Sequence, residues 1–597
     1  MTTTSTHNRE LQLNEEEWRK RYHDIIFPLD LSGLASTLED LEEHPKHAEF
    51  LPEVTLSAFT ETDRAESSIL VPNQRSYIGN GPAIPSSLAN TRCADLGAEG
   101  VLEKLNATLG TAYTLEVPCL SSLLEAYITK NYDFGAAYAR LRPIWYNDLT
   151  TVVEEKLRTH EIWDREMRQK VLVRNTIISM IMPPRRVWDL YSNRVVPWHF
   201  VRRTPYPISH AWMEEKDRED VLTPINGHEW PVPIPKDANL DLIRIEMLNI
   251  GAEYAWLDVL CLRQVGGERE DLRLEEWKVD VPTIGCVYQD PSRMVVCYFS
   301  GLGRPLSLKA DDFESDWSWF RRAWTLQEVN RQPIIGGDTG DNRIMEEDVE
   351  EYFKRRIMSF QRHPSKQIPY IFEVLREMRD RVSKNPVDKV AGLAYLLGTK
   401  EIPAYYETHS EEDAWTALVR VLSEPVRARL LMGYDTPGNG YKVWRPSWRQ
   451  VMNMPEIEML PPVDRTEETD ADWYRGLCIH SAYVQGLVEG LKGQWGEIEG
   501  KLIIKKGSWA NRIFKKRTFK ISTTTFRLVP DGFYTLLGCE SDGHPWQDDE
   551  SLTWAVGIIS QDQEFRKVLT VRLGSIKDRK RLLHLPGVVE ISDVLLA

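Results

Sequence analysis

The chain has 597 residues, of which 42% are hydrophobic and 27% are charged, as in ordinary globular proteins. Acidic residues (90) outnumber basic residues (74), and the formal net charge of −16 disfavours nucleic acid and anionic membranes as partners. The seven cysteines form no CxxC pair, so neither a zinc ribbon nor a disulfide framework is expected. The sequence contains no secretory signal and no membrane span, which predicts a cytoplasmic protein.

Changes in periodicity and in proline content divide the chain into five parts. The sequence predicts a mostly helical N-terminal region (1–182), an α/β domain (183–340), a helical region (341–451), an acidic linker (452–475) and a β-rich C-terminal domain (476–597).

Within the α/β domain, strand patterns alternate with helical patterns. Strands are predicted at Arg186–Leu190, Arg194–Pro197, Pro205–Ser209, Tyr254–Val259, Arg293–Phe299 and Pro333–Gly336, and helices at Leu240–Ile250, Leu274–Tyr288 and Trp324–Val329. Two of these strands are continuous apolar runs, which is typical of strands buried on both faces. This order predicts a mainly parallel, doubly wound sheet with helices on both faces.

Ligands of open parallel sheets bind beyond the carboxyl ends of the strands. The residues that follow the predicted strands, or lie on the next helix, are Ser209, His210, Trp212, Asp258, Cys261, Tyr298, Ser300, Gly303, Arg321, Arg322, Trp324 and Glu328. Each also has a structural interpretation. Asp258 could cap a helix, His210 could be a structural histidine, and Glu328 could pair with Arg321 or Arg322.

Several segments together resemble the fungal heterokaryon-incompatibility (HET) domain. The sequence ISHAW at 208–212 is similar to the LSYxWG opening of that domain, although Met213 replaces the glycine. YAWLDVLCLRQ at 254–264 resembles YLWIDSLCIxQ, and RRAWTLQE at 321–328 resembles RxWTLQE. Further on, PVDKVAGLAYLLG at 386–398 is similar to DPRDKIYALLGL. The resemblance covers about residues 185–450.

This resemblance implies a flavodoxin-like fold related to Toll and interleukin receptor (TIR) domains, some of which cleave NAD at the nicotinamide–ribose bond. In those enzymes the catalytic glutamate follows a tryptophan by four residues, as Glu328 follows Trp324. Glu328 is then the catalytic residue, and the implied substrate-binding residues are Ser209, His210, Trp212, Asp258, Tyr298, Arg321 and Trp324. No metal and no cofactor are implied, since NAD would be the substrate.

The function implied is that of an effector of fungal non-self recognition that triggers cell death, with NAD hydrolysis as its candidate activity. The alternative is a non-catalytic module that assembles with itself or with another protein and is gated by the flanking domains. A third interpretation is a thiol hydrolase with Cys261 as nucleophile and His210 as base.

Overall fold

The computed structural model describes most of the chain from residue 51 onward. The described residues are 51–117, 120–146, 153–290, 292–328, 332–340, 345–359, 371–453, 463–466, 471–487, 498–508, 513–524, 529–538 and 553–597. The predictions made for residues 1–50 and for much of the acidic linker lie outside these ranges.

The chain divides into two compact units. The first comprises Met1–Gln367, Arg381–Tyr395 and Glu401–Glu407, and the second comprises Ile368–Asp380, Leu396–Lys400 and Thr408–Ala597. The five-part division made from the sequence stays a prediction. No helix of the described residues is both long enough and apolar enough to cross a membrane.

A six-stranded mixed sheet forms the core of the first unit. Its strands are β1 (Arg186–Asp189), β2 (Arg194–Pro197), β3 (Tyr206–His210), β4 (Tyr254–Leu257), β5 (Val296–Tyr298) and β6 (Ile334–Ile335). They lie in the order β6-β5-β3-β4-β1-β2. The β6-β5, β5-β3 and β3-β4 pairs are parallel, whereas the β4-β1 and β1-β2 pairs are antiparallel.

The sheet differs from a fully parallel one at the edge formed by β1 and β2. The connection between these strands is a short turn, and a parallel crossover needs about a dozen residues, so the two strands form a hairpin. Asn193 in this turn has a φ of +52°, a left-handed conformation that asparagine tolerates. The prediction of a mainly parallel sheet therefore holds for β3 to β6 and fails at this edge.

The two continuous apolar runs form interior strands, as predicted. Every residue of β4 and of β5 is buried. Both strands are shorter than predicted, and a helical turn begins at Asp258 directly after β4. Trp256 is 2% exposed and belongs to the same hydrophobic core as Trp188 and Ile208.

Five helices of the first unit surround the candidate site or support it. They are α1 (Leu240–Asn249), α2 (Asp258–Cys261), α3 (Arg273–Asp280), α4 (Ile284–Tyr288) and α5 (Thr325–Glu328). The side chain of Asn239 caps α1 by accepting hydrogen bonds from the backbone N–H groups of Asp241 and Leu242. Pro282 lies between α3 and α4 and separates the helical pattern into two helices.

The remaining described elements of the first unit are shorter or more distant from the sheet. The helices are Ala58–Thr62, Ser86–Ala89, Cys93–Leu109, Leu120–Thr129, Phe134–Leu141, Val153–Val171, Trp198–Val201, Glu347–Ser359 and Val387–Ala391. Strand Val54–Ser57 pairs with Ser76–Gly79, Leu172–Val173 with Thr176–Ile177, Ile402–Pro403 with the latter, and Arg218–Val221 with Val232–Pro235.

The second unit contains an eight-stranded, mostly antiparallel sheet. Its strands are β7 (Val463–Thr466), β8 (Ala471–Gln485), β9 (Ile498–Ser508), β10 (Ile513–Thr523), β11 (Gly532–Gly538), β12 (Thr553–Ile559), β13 (Glu564–Leu573) and β14 (Glu590–Leu596). The order is β7-β8-β9-β10-β13-β12-β11, and β8 also pairs with β11, so the sheet closes on itself. The helices of this unit are Ile371–Arg379, Glu411–Val421, Glu424–Met432, Trp448–Val451 and Ile576–Leu583. The predicted β-rich C-terminal region is confirmed.

Candidate active site

Four polar residues nominated from the sequence meet where the parallel strands end. Ser209 and His210 are the last residues of β3, Asp258 directly follows β4, and Glu328 ends α5. In the parallel sheet, Ser209 lies beside Cys297 of β5, and Ile208 lies beside Leu257 of β4. We call Ser209, His210, Asp258 and Glu328 the strand-end cluster.

Glu328 is held by a short chain of hydrogen bonds. The Ser209 hydroxyl donates to Glu328 Oε2 over 2.5 Å, and Trp319 Nε1–H donates to Ser209 Oγ over 2.7 Å. Because the indole supplies the hydrogen bond that Ser209 Oγ accepts, the hydroxyl hydrogen is directed at the carboxylate. Trp319 itself is buried in the core of the first unit.

Near neutral pH, the carboxyl group of Glu328 is present in both its protonated and its ionised form. Burial raises the pKa of Glu328 to about 7, and the nearby Asp258 carboxylate adds to this effect. The Ser209 hydrogen bond and the charges of His210 and Arg322 oppose it. A carboxyl group with such a pKa can accept and release a proton at physiological pH, which is what a general base requires.

His210 and Asp258 form a partly buried ion pair beside this carboxyl group. His210 Nε2 lies 2.9 Å from Asp258 Oδ1, and Nδ1 lies 3.3 Å from the carbonyl oxygen of Ala211. Burial opposes the imidazolium, but the Asp258 carboxylate outweighs burial and raises the pKa of His210 above its usual value. Burial likewise opposes the carboxylate, but His210 lowers the pKa of Asp258. Asp258 Oδ1 also accepts the Val259 N–H, so it caps α2 as well.

Trp212 forms an aromatic surface against which three cationic groups lie. The His210 ring stacks on it with a centroid distance of 6.2 Å and an interplanar angle of 13°. The guanidinium carbons of Arg322 and Arg218 lie 5.3 Å and 5.4 Å from the ring centroid. These distances are within the range of cation–π interactions.

Trp324 is partly buried and contacts a carboxylate that was not nominated from the sequence. Its side chain lies beside Asp388 and favours the ionised form of that carboxyl group, which accepts the Tyr405 hydroxyl over 2.8 Å. Burial raises the pKa of Asp388 to about 6. Asp388 lies in the first turn of Val387–Ala391, within the segment that resembles DPRDKIYALLGL.

Two residues nominated as substrate-binding are not brought to the strand-end cluster. The Arg321 side chain donates to the carbonyl oxygen of Glu314 and lies 3.5 Å from the Asp316 carboxylate. The Tyr298 hydroxyl donates to Glu246 Oε2 over 2.8 Å and is fully buried. The two side chains leave β5 in opposite directions: Cys297 faces Ser209, whereas Tyr298, although it lies beside His210 in the sheet, directs its hydroxyl to Glu246.

The arrangement does not favour a nucleophilic thiol. Cys261 is 1% exposed, and burial raises the pKa of its thiol to about 12. The imidazole of His210 is engaged by Asp258 rather than by Cys261. A thiol hydrolase needs a thiolate and an adjacent base, and neither condition is met.

Two contributors to the site were not nominated as site residues, and each had a signal in the sequence. Trp319 lies on the loop that leads to the helix of Glu328. Asp388 lies in a resembling segment from which no site residue was taken. Among the described residues, no group of three or more metal-ligating side chains converges.

Comparison with known proteins gives no relative for this chain. No family model matches the sequence, and neither the curated proteins nor the solved structures contain a match. The resemblance to the HET domain therefore stays a prediction made from the motifs. The functional proposal rests on the geometry of the strand-end cluster.

Proposed function

We propose that this protein is a cytoplasmic HET-type effector of fungal non-self recognition that triggers cell death by hydrolysing NAD. Its α/β unit would be a flavodoxin-like relative of TIR domains, with Glu328 as the catalytic residue. The observation that supports this most is the buried Glu328 carboxyl group, aimed at by the Ser209 hydroxyl and lying beside the His210–Asp258 pair at the strand ends.

The reaction would convert NAD⁺ and water into ADP-ribose, nicotinamide and a proton. The bond between ribose C1′ and the nicotinamide nitrogen breaks, and its electron pair leaves with nicotinamide. Positive charge then develops on the ribose, and an ionised carboxylate fixed nearby stabilises that charge. As the water oxygen bonds to C1′, Glu328 accepts a proton from it and later releases that proton to solvent.

The burial pattern indicates how a substrate would approach. Ser209 is 1% exposed and Glu328 is 8% exposed, whereas 27% of the Asp258 side chain is accessible to solvent. Trp212 is also only partly buried. The substrate would therefore enter past Asp258 and Trp212 and reach Glu328 last. NAD would be a substrate, and no bound cofactor or metal is part of this proposal.

The same burial supports a second candidate function. With so little of Glu328 exposed, the cluster is also compatible with a non-catalytic module that binds a second copy of the chain or another protein. In that case the ion pair and the buried carboxyl group would stabilise the fold, and the flanking domains would gate assembly.

NAD turnover by the purified full-length chain separates the two functions. Nicotinamide release is measured over a range of protein concentrations, because an assembled site would show turnover that rises more steeply than concentration. We expect turnover by the wild type and at least a 100-fold loss in Glu328→Gln, which keeps the size of the side chain and removes its charge. Intact NAD at concentrations where the wild type self-associates would favour the binding module.

A further inference from the structure

Two arginines lie against one tryptophan at the entrance to the strand-end cluster. The guanidinium carbons of Arg218 and Arg322 lie within 5.4 Å of the Trp212 ring centroid. The two positive charges repel each other, and Arg218 disfavours the charged form of Arg322. Like charges gathered on one surface are a cost to the fold that a bound anion removes.

Arg322 is buried without a direct partner for its charge. The residue is 8% exposed, yet among the described residues its guanidinium makes neither a hydrogen bond nor an ion pair within 4.0 Å. Most buried arginines of the first unit differ in this respect: for example, Arg168 is paired with Asp164 and Arg194 with Asp133. The nitrogen atoms of Arg322 are not fully enclosed, so a ligand can reach these unused donors from solvent.

The neighbouring carboxylates do not take up these donors, because each already has other partners. Asp258 pairs with His210, Glu328 accepts the Ser209 hydroxyl, and Asp388 accepts the Tyr405 hydroxyl. They act on Arg322 only through space. Their charges keep the guanidinium in place without neutralising it by direct contact.

Both arginines are fixed by backbone contacts rather than carried on free loops. Arg322 forms a bridge with Val382, and Arg381 Nη1 donates to the Arg322 carbonyl oxygen over 2.6 Å. Arg218 begins a strand that pairs with Val232–Pro235, whose buried side chains anchor it in the core. The only ion pair of Arg218 among the described residues is a 3.9 Å contact with the exposed Glu215. The two guanidinium groups are therefore preorganised.

We infer that Arg218 and Arg322 form a binding site for the phosphate groups of a nucleotide, held beside the Trp212 ring. Guanidinium groups bind phosphate oxygens in pairs of charge-assisted hydrogen bonds, and two such groups suit a diphosphate better than a single phosphate. The assignment to a nucleotide rests on the proposed NAD hydrolysis, whereas the assignment to a phosphate rests only on the arginines. The two parts can therefore fail separately.

The test is calorimetric titration of the full-length chain with pyrophosphate, inorganic phosphate and ADP-ribose. We expect pyrophosphate and ADP-ribose to bind more tightly than inorganic phosphate, and the affinity to fall with ionic strength. Arg322→Gln and Arg218→Gln should each weaken pyrophosphate binding by about tenfold or more, as the loss of a charge-assisted hydrogen bond predicts. Arg273→Gln is the matched control, since Arg273 lies against Trp277 but already pairs with Glu407. This variant should bind pyrophosphate with the affinity of the wild type.

The outcomes separate this inference from the proposed function. If Glu328→Gln binds ADP-ribose like the wild type but NAD is never cleaved, the phosphate site stands and the hydrolase fails. If NAD is cleaved while both arginine variants retain wild-type affinity and KM, the hydrolase stands and the phosphate site is wrong. Tight binding of inorganic phosphate with no gain for ADP-ribose would restrict the site to free phosphate. If Arg322→Gln does not fold, Arg322→Lys, which keeps the positive charge, replaces it in the titration.

Discussion

Two buried glutamates lie near the central sheet, and their surroundings differ in the way a structural carboxylate differs from a reactive one. Glu246 accepts three hydrogen bonds, from Gln74 Nε2, the Tyr298 hydroxyl and the Gly337 N–H, all within 2.8 Å. Glu328 accepts one, from Ser209. Burial raises the pKa of both groups, but Glu328 lies near three other charged side chains, those of Asp258, His210 and Arg322, whereas Asp338 acts on Glu246.

Burial alone therefore does not identify a catalytic carboxylate. The three donors of Glu246 come from a 3₁₀ turn, a strand and a loop, so this glutamate connects three segments of the fold. Glu328 retains unused acceptor capacity at the end of the strands, beside the His210–Asp258 pair. A carboxylate that accepts one hydrogen bond has more lone pairs free for a proton or a ribose hydroxyl than one that accepts three.

The pH dependence of NAD turnover gives the largest expected difference between the two glutamates. Glu328 must be ionised to act, and its pKa is about 7, so the rate should rise with pH and level off above neutrality. At pH ~5.5 we expect turnover about 30-fold below the plateau, from the ionised fraction alone. Glu246→Gln should leave the shape of this profile unchanged. A turnover rate that does not change with pH around neutrality would contradict the assignment of Glu328 as the catalytic residue.

The stability of the protein should change with pH in the opposite direction to the rate of NAD turnover. Glu328 has a pKa of about 7 in the folded protein against 4.5 ordinarily, so the folded state binds the proton more tightly than the unfolded chain. The free energy of unfolding therefore falls as pH rises from about 4.5 to about 7.

The measurement is the difference in unfolding free energy between the wild type and Glu328→Gln at pH ~5 and pH ~8. We expect the wild type to lose on the order of 3 kcal/mol relative to the variant over this range. His210 and Asp388 also have raised pKa values and act in the same direction. The contribution of Asp388 cancels when the variant is subtracted, whereas part of the His210 contribution remains and adds to the difference, because Glu328 is one of the groups that raise the pKa of His210. A difference that does not change with pH would show that Glu328 titrates normally.

The fold was predictable where hydrophobic pattern decides it. The buried strands β4 and β5 follow from continuous apolar runs. The orientation of β1 was not predictable from its own residues. It depends on the length of the turn to β2 and on the pairing of Tyr254 with Asp189, which is long-range in sequence.

The strand-end rule found the members of the candidate site but not the direction of every side chain. Ser209, His210, Asp258 and Glu328 come together because parallel strands end at the same edge. Tyr298 was misplaced because the rule ignores alternation along β5, which directs Cys297 to Ser209 and Tyr298 to Glu246. The contribution of Asp388, about sixty residues after Glu328, needs three-dimensional contacts to be found.

The structural role of Glu246 can be tested by measuring the stability of a variant. Glu246→Gln places an amide NH₂ group against groups that donate hydrogen bonds, so at least one buried donor loses its acceptor. We expect a loss of about 1–3 kcal/mol in the free energy of unfolding, measured by chemical denaturation. If Glu246→Gln proved as stable as the wild type, Glu246 would not be the connecting residue that its three contacts indicate.

The smallest expected effect comes from Ser209, and it tests whether the hydrogen bond to Glu328 tunes the carboxyl group. The Ser209 hydroxyl lowers the pKa of Glu328, so Ser209→Ala should move the acid limb of the pH–rate profile to higher pH. A shift of about one pH unit would reduce turnover at neutral pH by roughly fivefold, with the plateau at high pH largely kept. Ser300→Ala is the matched control, because the Ser300 hydroxyl follows the neighbouring strand but bonds only to the backbone of Ser307. If Ser209→Ala lowered the plateau as much as the neutral-pH rate, Ser209 would contact the substrate directly instead of setting the pKa of Glu328.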